Sequence, residues 1–179
     1  MKQNKVICVI FVIAIIVVAI MAILKGLANF IYPDKYSEYI EKYADEYEVD
    51  RNLVYAIIKQ ESNFNPEVNS SKGATGLMQL MKETAEEVAI KVDCAKIDLK
   101  DPEINIKLGT KYLSDLIEKY GNERIAIVAY NAGSGNVDSW LEKGVIKKDG
   151  TDLENVPYKE TNMYVRKVFK NYEIYCKLY

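Results

Sequence analysis

The sequence contains no histidine among its 179 residues. An imidazole is the base of a Ser-His-Asp triad and a frequent ligand of zinc and haem iron, so its absence excludes those sites in their usual form. The chain also lacks a GxxxxGK[ST] phosphate loop, a GxGxxG dinucleotide fingerprint and an EF-hand calcium loop. Its three cysteines, Cys8, Cys94 and Cys176, are too far apart for a CxxC clamp. Acid-base chemistry must therefore depend on carboxylates, tyrosine or lysine.

The sequence also lacks a strong excess of either positive or negative charge. The 24 Lys and Arg residues nearly balance the 26 Asp and Glu residues, which gives a net charge of −2. Three of the basic residues, Lys2, Lys5 and Lys25, lie beside an N-terminal apolar run, so the rest of the chain has 21 basic against 26 acidic residues. This acidic balance excludes the basic footprint of a nucleic-acid partner. The length is that of one ordinary domain.

The N-terminal apolar run spans 19 residues, Val6 to Leu24. At a rise of about 1.5 Å per residue, a helix of this length crosses a hydrocarbon core about 30 Å thick, which predicts a transmembrane helix over about residues 6–24. The alternative is a cleaved signal peptide, but the run exceeds an ordinary signal core and no convincing cleavage site follows it. Cys8 lies at the start of the run, which gives a lipid anchor little support.

The charges around the run favour an N-terminus inside the cell, because two lysines precede it and one follows it. We therefore expect residues 1–31 to be a single-pass anchor in the cell membrane and residues 32–179 to form one domain on the extracytoplasmic side. The sequence leaves open whether Cys94 and Cys176 form a disulfide.

After Tyr32, apolar residues recur at helical spacing, and no alternating strand pattern or internal repeat occurs, so the predicted fold class is all-α. Loops are predicted for 70–76 and 144–157 from their glycine and polar content. Helices are predicted from Pro33 to about Tyr47, over 51–64, over 77–92, from Pro102 to Gly121, over a fully buried 125–129, over 137–141, and over 158–179.

One carboxylate occupies an unexpected position. Glu61 follows Ile57 by four residues and precedes Phe64 by three, so it lies on the apolar stripe of its own helix. Burial raises the pKa of a carboxyl group and can keep it protonated near neutral pH, which makes Glu61 a candidate proton donor. The alternative is a glutamate that points outward at the helix end or pairs with a basic residue.

Four sequence blocks give Glu61 a context. They are Glu61–Pro66 (ESNFNP), Gly73–Met81 (GATGLMQLM), Ala129–Gly133 (AYNAG) and Val156–Thr161 (VPYKET) with Tyr164 and Val165 after it. In this order and spacing they closely resemble the lytic transglycosylase (SLT) family, bacterial enzymes that cleave the glycan strands of peptidoglycan. One departure is Lys82, where the family usually has proline; this position should begin a helix, so we expect little effect. The resemblance implies a lysozyme-like helical domain.

The first two blocks imply site residues. Glu61 resembles the single catalytic acid and base of the family. Ser62 resembles the residue that hydrogen-bonds near the reacting sugar, although a helix-end hydroxyl is the alternative. Met78 and Gln79 resemble groove residues, one offering an apolar surface and the other an amide that donates and accepts. Met78 taken alone would more often be a core residue.

The last two blocks imply further substrate-binding residues. Tyr130 and Asn131 end the predicted buried helix, where a phenol and an amide can face a cleft and bind an N-acetyl group. Glu160 and Tyr164 correspond to residues of the last block. A charge that stabilises the start of a helix is the alternative for Glu160.

The resemblance also implies a reaction. Glycosidases usually need two carboxylates, but here the substrate supplies the nucleophile: the C6 hydroxyl of N-acetylmuramic acid (MurNAc) attacks its own anomeric carbon. The β-1,4 bond to N-acetylglucosamine (GlcNAc) is cleaved without water and leaves a 1,6-anhydroMurNAc end. No metal or organic cofactor is expected, and the expected partners are peptidoglycan strands and the cytoplasmic membrane. A hydrolytic muramidase on the same fold, a catalytically weak wall-binding scaffold and a helical module without a sugar site remain alternatives.

Overall fold

The computed structural model describes the backbone of residues 2–179 and the side chains of residues 11–179. Within this part of the chain there is no β-strand beyond two isolated bridges, which confirms the all-α prediction. The helices are α1 (Lys2–Ile31), α2 (Ser37–Glu46), α3 (Arg51–Glu61), α4 (Lys82–Lys91), α5 (Pro102–Tyr120), α6 (Glu123–Ala132), α7 (Ser134–Glu142) and α8 (Lys159–Leu178), with a short 3₁₀ helix at Leu153–Asn155.

Helix α1 with its connection to Lys35 forms one compact unit, and the chain from Tyr36 onward forms a second. Residues Phe11–Ile31 of α1 are long and apolar enough to cross a membrane, a property that N-terminal signal sequences share. Of the predicted span 6–24, the side chains of residues 6–10, Cys8 included, lie outside the described residues. The anchor therefore stays a prediction.

Helix α3 positions the start of the first block. The Asp50 side chain caps its start by accepting a hydrogen bond of 2.8 Å from the backbone N–H of Asn52. The helix ends at Glu61, three residues earlier than predicted, because Asn63 and Phe64 both adopt left-handed backbone angles. This turn returns the Phe64 ring to the core, where it packs against Tyr55. Glu61 is therefore the last residue of its helix.

The predicted helix over 77–92 begins only at Lys82. Residues before it form a tight turn in which Thr75 and Leu80 exchange two backbone hydrogen bonds of 3.0 and 3.1 Å. Gly76 and Gln79 have positive φ angles of 84° and 48°, which a helix does not tolerate. Lys82 is the first residue of α4, as expected for the position where the SLT family usually has proline.

The core surrounds α6. Its central residues 125–129 are buried on all sides, as predicted, and α6 packs against α5 and α7. Gly133, at φ 85°, separates α6 from α7, which starts three residues before the predicted Val137. The connection over 144–157 is irregular except for its 3₁₀ turn. Cys94 and Cys176 are both free thiols.

Candidate active site

Glu61 and Tyr164 meet at the end of α3. Helical spacing puts Glu61 on the buried side of α3, and the Tyr164 hydroxyl on α8 donates a hydrogen bond of 2.7 Å to its Oε1 atom. Burial raises the pKa of Glu61 from 4.5 to about 7, while the hydrogen bond from Tyr164 acts in the opposite direction. A carboxyl group with this pKa exists in both protonation states near neutral pH.

Glu61 lies at the junction of two adjoining cavities, which also share Asn131 and Glu160. We call the first, of about 350 Å³, the loop half, because the loop before α4 forms one wall. We call the second, of about 430 Å³, the helix half, because α3 and α8 enclose it. The loop half is also lined by Ser70, Lys72, Ala74, Gln79, Met81, Tyr130, Ala132, Tyr158 and Thr161. The helix half is also lined by Gln60, Met163, Tyr164 and Lys167.

Gln79 lies in the loop half, but its amide group is partly occupied. Its Nε2 atom donates hydrogen bonds of 3.0 Å to the Val68 carbonyl and 2.9 Å to the Gly76 carbonyl. These bonds hold Gln79 in its left-handed backbone conformation. Because both amide hydrogens are used within the loop, the side chain can offer the cleft only its carbonyl oxygen, as an acceptor.

Tyr130 fixes the loop to α6. Its hydroxyl donates a hydrogen bond of 2.8 Å to the Met78 carbonyl, and its ring packs against Tyr112 with centroids 5.3 Å apart. Burial, with the nearby Glu61 carboxylate, raises the pKa of Tyr130 well above its ordinary value. Tyr130 is therefore a neutral hydroxyl in the cleft and no proton acceptor at neutral pH.

Asn131 and Glu160 lie between the two halves. The Asn131 Oδ1 atom accepts a hydrogen bond of 2.7 Å from the Thr161 hydroxyl, which joins α6 to the first turn of α8. Glu160 is exposed and lies in that first turn, where a negative charge also stabilises the helix. Its position is compatible with both of its predicted roles.

Ser62 and Met78 are the two predicted site residues that do not line either half of the cleft. The Ser62 hydroxyl is buried and lies 2.8 Å from the Leu77 carbonyl and 3.2 Å from the Ile58 carbonyl. The Met78 side chain is fully buried, and its sulfur lies 3.9 Å from the Thr110 hydroxyl oxygen. This placement fits the core alternative for Met78 rather than a sugar-facing surface, because the fold packs it beneath the loop.

The sequence analysis missed Asn105 on α5. Its side chain is fully buried, donates hydrogen bonds of 2.9 Å to the carbonyls of Thr75 and Leu99, and accepts one of 2.7 Å from the backbone N–H of Met78. Asn105 thereby fixes the turn that carries Gln79. The sequence does contain a signal for Asn105, which precedes Leu108 by three residues and so lies on the apolar stripe of α5. This position is as unusual for an amide as that of Glu61 is for a carboxylate.

The family model described as "Transglycosylase SLT domain" matches residues 38–152, well over half of the chain. The chain belongs to this family. The fourth sequence block, from Val156 onward, lies beyond the matched residues of this SLT domain. Within the described residues, no group of three cysteine, aspartate or glutamate side chains could hold a metal ion.

Curated relatives extend the match. The SLT chain is 36% identical over 154 residues to the soluble lytic murein transglycosylase of Escherichia coli K12, covering 83% of this chain and 24% of that protein. It is 36% identical over 116 residues to the membrane-bound lytic murein transglycosylase C of Pectobacterium atrosepticum, covering 58% and 32%. The chain thus spans about a quarter to a third of the length of these relatives.

Solved structures show the same fold. An inactive mutant of lytic transglycosylase Slt from Pseudomonas aeruginosa superposes with a TM-score of 0.74 at 34% identity, covering 82% of this chain and 24% of that one. A 70 kDa soluble lytic transglycosylase in complex with bulgecin A gives 0.74 at 35% identity, covering 82% and 25%. The SLT chain therefore has the lysozyme-like helical fold of these enzymes, as its sequence predicted.

Proposed function

We propose that this SLT chain is a membrane-anchored lytic transglycosylase that cleaves the MurNAc-GlcNAc β-1,4 bond of peptidoglycan. The observation that carries the proposal is the buried Glu61 carboxyl group, whose pKa is raised to about 7 in a cleft that continues on both sides of it. Two features support the substrate class: membership of the SLT family, and relatives whose names describe murein transglycosylases.

The proposed first step uses Glu61 as an acid. With a glycan strand across the junction of the two halves, Glu61 gives its proton to the glycosidic oxygen as the bond from that oxygen to the MurNAc C1 breaks. Positive charge develops at C1, and the N-acetyl group of the same sugar stabilises it. The pKa of about 7 keeps a large fraction of Glu61 protonated at neutral pH, as this step requires.

The second step uses the resulting carboxylate as a base. Glu61 takes the proton of the MurNAc C6 hydroxyl while that oxygen forms a bond to C1, which closes the 1,6-anhydro ring. Attack within one sugar avoids the entropic cost of positioning a water molecule. One carboxyl group therefore serves both steps, and the proton that leaves in the first returns in the second, with no metal or organic cofactor involved.

The neighbouring residues have distinct proposed roles. Tyr164 orients the Glu61 carboxyl group and favours its ionised form for the second step. Gln79 accepts a hydrogen bond from a sugar through its amide oxygen, and Tyr130 and Asn131 line the wall that faces the N-acetyl group. Glu160 is a second groove carboxylate, exposed beside Glu61. Ser62 acts through the Leu77 carbonyl and so positions the loop rather than contacting substrate.

Helix α1 gives the enzyme a location. We propose that residues 1–31 anchor the chain in the cell membrane by a single span, with the domain of residues 32–179 on the extracytoplasmic side. The apolar length of α1 and the membrane-bound relatives support this arrangement. A short connection from the membrane would restrict cleavage to nearby glycan strands.

Mass spectrometry of the sugars released from purified peptidoglycan tests the proposal. The full chain in detergent should release 1,6-anhydroMurNAc ends, and the Glu61→Gln protein should release none. Glu118→Gln, an exposed carboxylate on α5, is the matched control and should act like the wild type. Reducing MurNAc ends would instead identify a muramidase, and binding to sacculi without release of sugars would identify a wall-binding scaffold.

A further inference from the structure

The chain has only three arginines among its 24 basic residues, and two of the three line one cavity. Arg124 at the start of α6 and Arg166 on α8 belong to a cavity of about 400 Å³, which we call the arginine cavity. The third, Arg51, pairs with Glu41 at 3.0 Å. Arginine binds oxyanions through a planar fork of donors, whereas lysine acts as a point charge. The placement of the arginines therefore indicates a ligand with several acceptor oxygens.

The arginine cavity is separate from the substrate cleft. It shares no lining residue with the loop half or the helix half. On α8, Asn162, Arg166 and Phe169 recur at steps of four and three residues and so lie on one face, whereas the cleft residues Met163 and Lys167 lie on another. A ligand in this cavity would therefore leave the cleft open to a glycan strand.

Both guanidinium groups are held in place by the fold. The Arg124 guanidinium lies over the Phe169 ring, 5.0 Å from its centroid. The Arg166 Nε atom donates a hydrogen bond of 2.9 Å to Asn162 Oδ1, and Asn162 Nδ2 donates one of 2.7 Å to the Leu153 carbonyl. Because these contacts restrict both side chains before a ligand arrives, binding loses less conformational entropy.

Neither of these arginines is neutralised by a partner. Within residues 11–179 Arg124 and Arg166 form no ion pair, and Lys170 adds a third unpaired cation to the wall. Two carboxylates, Glu154 and Glu173, also line the cavity, which leaves an excess of one positive charge. The rest of the domain is acidic, with 26 acidic residues against 21 basic ones beyond the N-terminal run, so the arginine cavity differs in sign from its surroundings.

The donors fit a phosphate group better than a carboxylate. A carboxylate has two oxygens, and a single arginine fork already uses both. A phosphate ester has three further oxygens besides the ester one, so two forks can bind it together. Glu154 and Glu173 can accept hydrogen bonds from hydroxyl groups on the carrier of the phosphate, as glycerol or a sugar would provide.

We infer that the arginine cavity is a second binding site, which takes the phosphate group of a phosphate ester on a hydroxyl-bearing carrier. Arg124 and Arg166 bind the phosphate oxygens, and Lys170 adds charge at the rim. The inference does not depend on the proposed function, because no residue of the cleft takes part. It gives the domain a means of attachment to a phosphate-bearing molecule while the cleft holds a different ligand.

The test uses the fact that the chain has only three arginine side chains. The full chain, labelled with ¹⁵N in a maltoside detergent that contains no phosphate, is titrated with sn-glycerol 3-phosphate at constant ionic strength. The Nε–Hε signals of Arg124 and Arg166 should shift and saturate, and that of Arg51 should not. Acetate should bind at least about tenfold more weakly, because it cannot satisfy both forks. No saturable shift, or equal shifts of all three signals, overturns the inference.

Four variants locate the site. Arg166→Gln should raise the Kd for glycerol 3-phosphate about tenfold, and Arg166→Lys should raise it about threefold or more, because it keeps the charge but loses the fork. Lys143→Gln, which removes an exposed charge after α7, should keep the wild-type Kd. Glu61→Gln should also keep it, and a changed Kd in that variant would place the phosphate in the cleft and reject the site. If Arg166→Lys and acetate both bind as wild type and ester do, the cavity accepts any anion and the inference is wrong.

A second arm identifies the source of the phosphate. The chain in maltoside micelles doped with phosphatidylglycerol is compared with the chain in micelles doped with diacylglycerol, which has no phosphate. A saturable shift with glycerol 3-phosphate shows that a soluble ester is sufficient for the site. A shift with phosphatidylglycerol alone supports the site with a lipid headgroup as its source. Absence of a shift in both arms, with the backbone spectrum showing a folded domain, rejects the arginine cavity as a phosphate site.

Discussion

The Tyr164 hydroxyl donates a hydrogen bond of 2.7 Å to Glu61 Oε1 and so joins α8 to the end of α3. The two residues are 103 positions apart in the sequence, yet each changes the pKa of the other. Burial makes the Glu61 carboxylate costly, and the hydrogen bond recovers part of that cost, which leaves the pKa at about 7. Burial, together with the nearby Glu61 carboxylate, raises the pKa of Tyr164 well above its ordinary range, so this tyrosine stays a donor.

Tyr164→Phe should raise the pKa of Glu61 above about 7, because it removes the interaction that favours the charged form. The limb of the pH-rate profile governed by Glu61 should move to higher pH, and kcat should fall about tenfold at neutral pH as the orienting hydrogen bond is lost. A pH-rate profile and an NMR titration of the Glu61 carboxyl carbon measure both effects.

Tyr172→Phe is the matched control for that variant. Tyr172 lies on the same helix and also donates a hydrogen bond of 2.7 Å to a carboxylate, that of Asp50, but it does not line the cleft. Its loss should leave the pH-rate profile of the wild type unchanged. A Tyr164→Phe profile that coincides with wild type would contradict the proposed role of Tyr164.

Glu61 should make the protein less stable as the pH rises. Its folded pKa of about 7 exceeds its ordinary value of 4.5, so between these pH values the folded chain holds a proton that the unfolded chain releases. The free energy of unfolding should therefore fall through this window, by about 3 kcal/mol in total. Urea unfolding of Glu61→Gln should show a larger stability advantage over wild type at pH 8 than at pH 4, whereas Glu118→Gln should show no such trend.

Gly76→Ala should unfold the turn that carries Gln79. A Cβ atom at Gly76 would lie 2.0 Å from the Leu99 carbonyl oxygen and 2.2 Å from Asn105 Nδ2, and φ is already 84°. We expect a loss of about 3 kcal/mol or more in unfolding free energy, together with loss of activity. Gly73→Ala is the control: φ is 91° but no atom lies within 4 Å of the added Cβ, so only the backbone strain of about 1 to 2 kcal/mol should be measured.

The sequence predicted most helices because their signals are local. Asp101 and Pro102 start α5, Gly121 ends it, and the unbroken apolar run over 125–129 is the buried centre of α6, as expected. The predicted start of α4 was wrong by five residues, because Leu77, Leu80 and Met81 have helical spacing. These residues instead form a tight turn, which Asn105 holds from α5. No local sequence pattern shows that contact with a distant helix.

The same distinction between local sequence signals and tertiary contacts applies to the candidate site. The position of Glu61 on an apolar stripe predicted burial and a raised pKa as one of two alternatives, and the buried Glu61 of the structure fits that one. The orientation of Gln79 and the placement of Met78 beneath the loop depend on bonds to Val68 and on packing against α5, which arise only in the folded chain. Residue type therefore predicted which block forms the site, but the tertiary contacts determined which side chain of the block faces the cleft.

Asn105→Ala should destabilise the folded loop before α4 without changing a residue that lines the cleft. It would leave the carbonyls of Thr75 and Leu99 and the N–H of Met78 without their buried partner, and we expect a loss of about 3 kcal/mol in unfolding free energy. Activity should fall because the loop no longer keeps its folded conformation. Asn171→Ala on α8, a half-buried amide, is the control and should cost under about 0.5 kcal/mol. Equal stability losses in the two variants would show that Asn105 does not hold the loop.

Ser62→Ala separates a positioning role from a substrate contact. The buried hydroxyl lies 2.8 Å from the Leu77 carbonyl, so its removal leaves that acceptor unpaired and should cost about 1 to 2 kcal/mol in unfolding free energy. Because Ser62 does not line the cleft, KM should stay near the wild-type value while kcat falls as the loop shifts. Gln79→Ala should show the opposite pattern in its kinetics, a raised KM, since its amide oxygen can reach substrate. Urea unfolding and steady-state kinetics on peptidoglycan measure both variants. A raised KM with unchanged stability in Ser62→Ala would instead place its hydroxyl against the sugar, as the family resemblance implied.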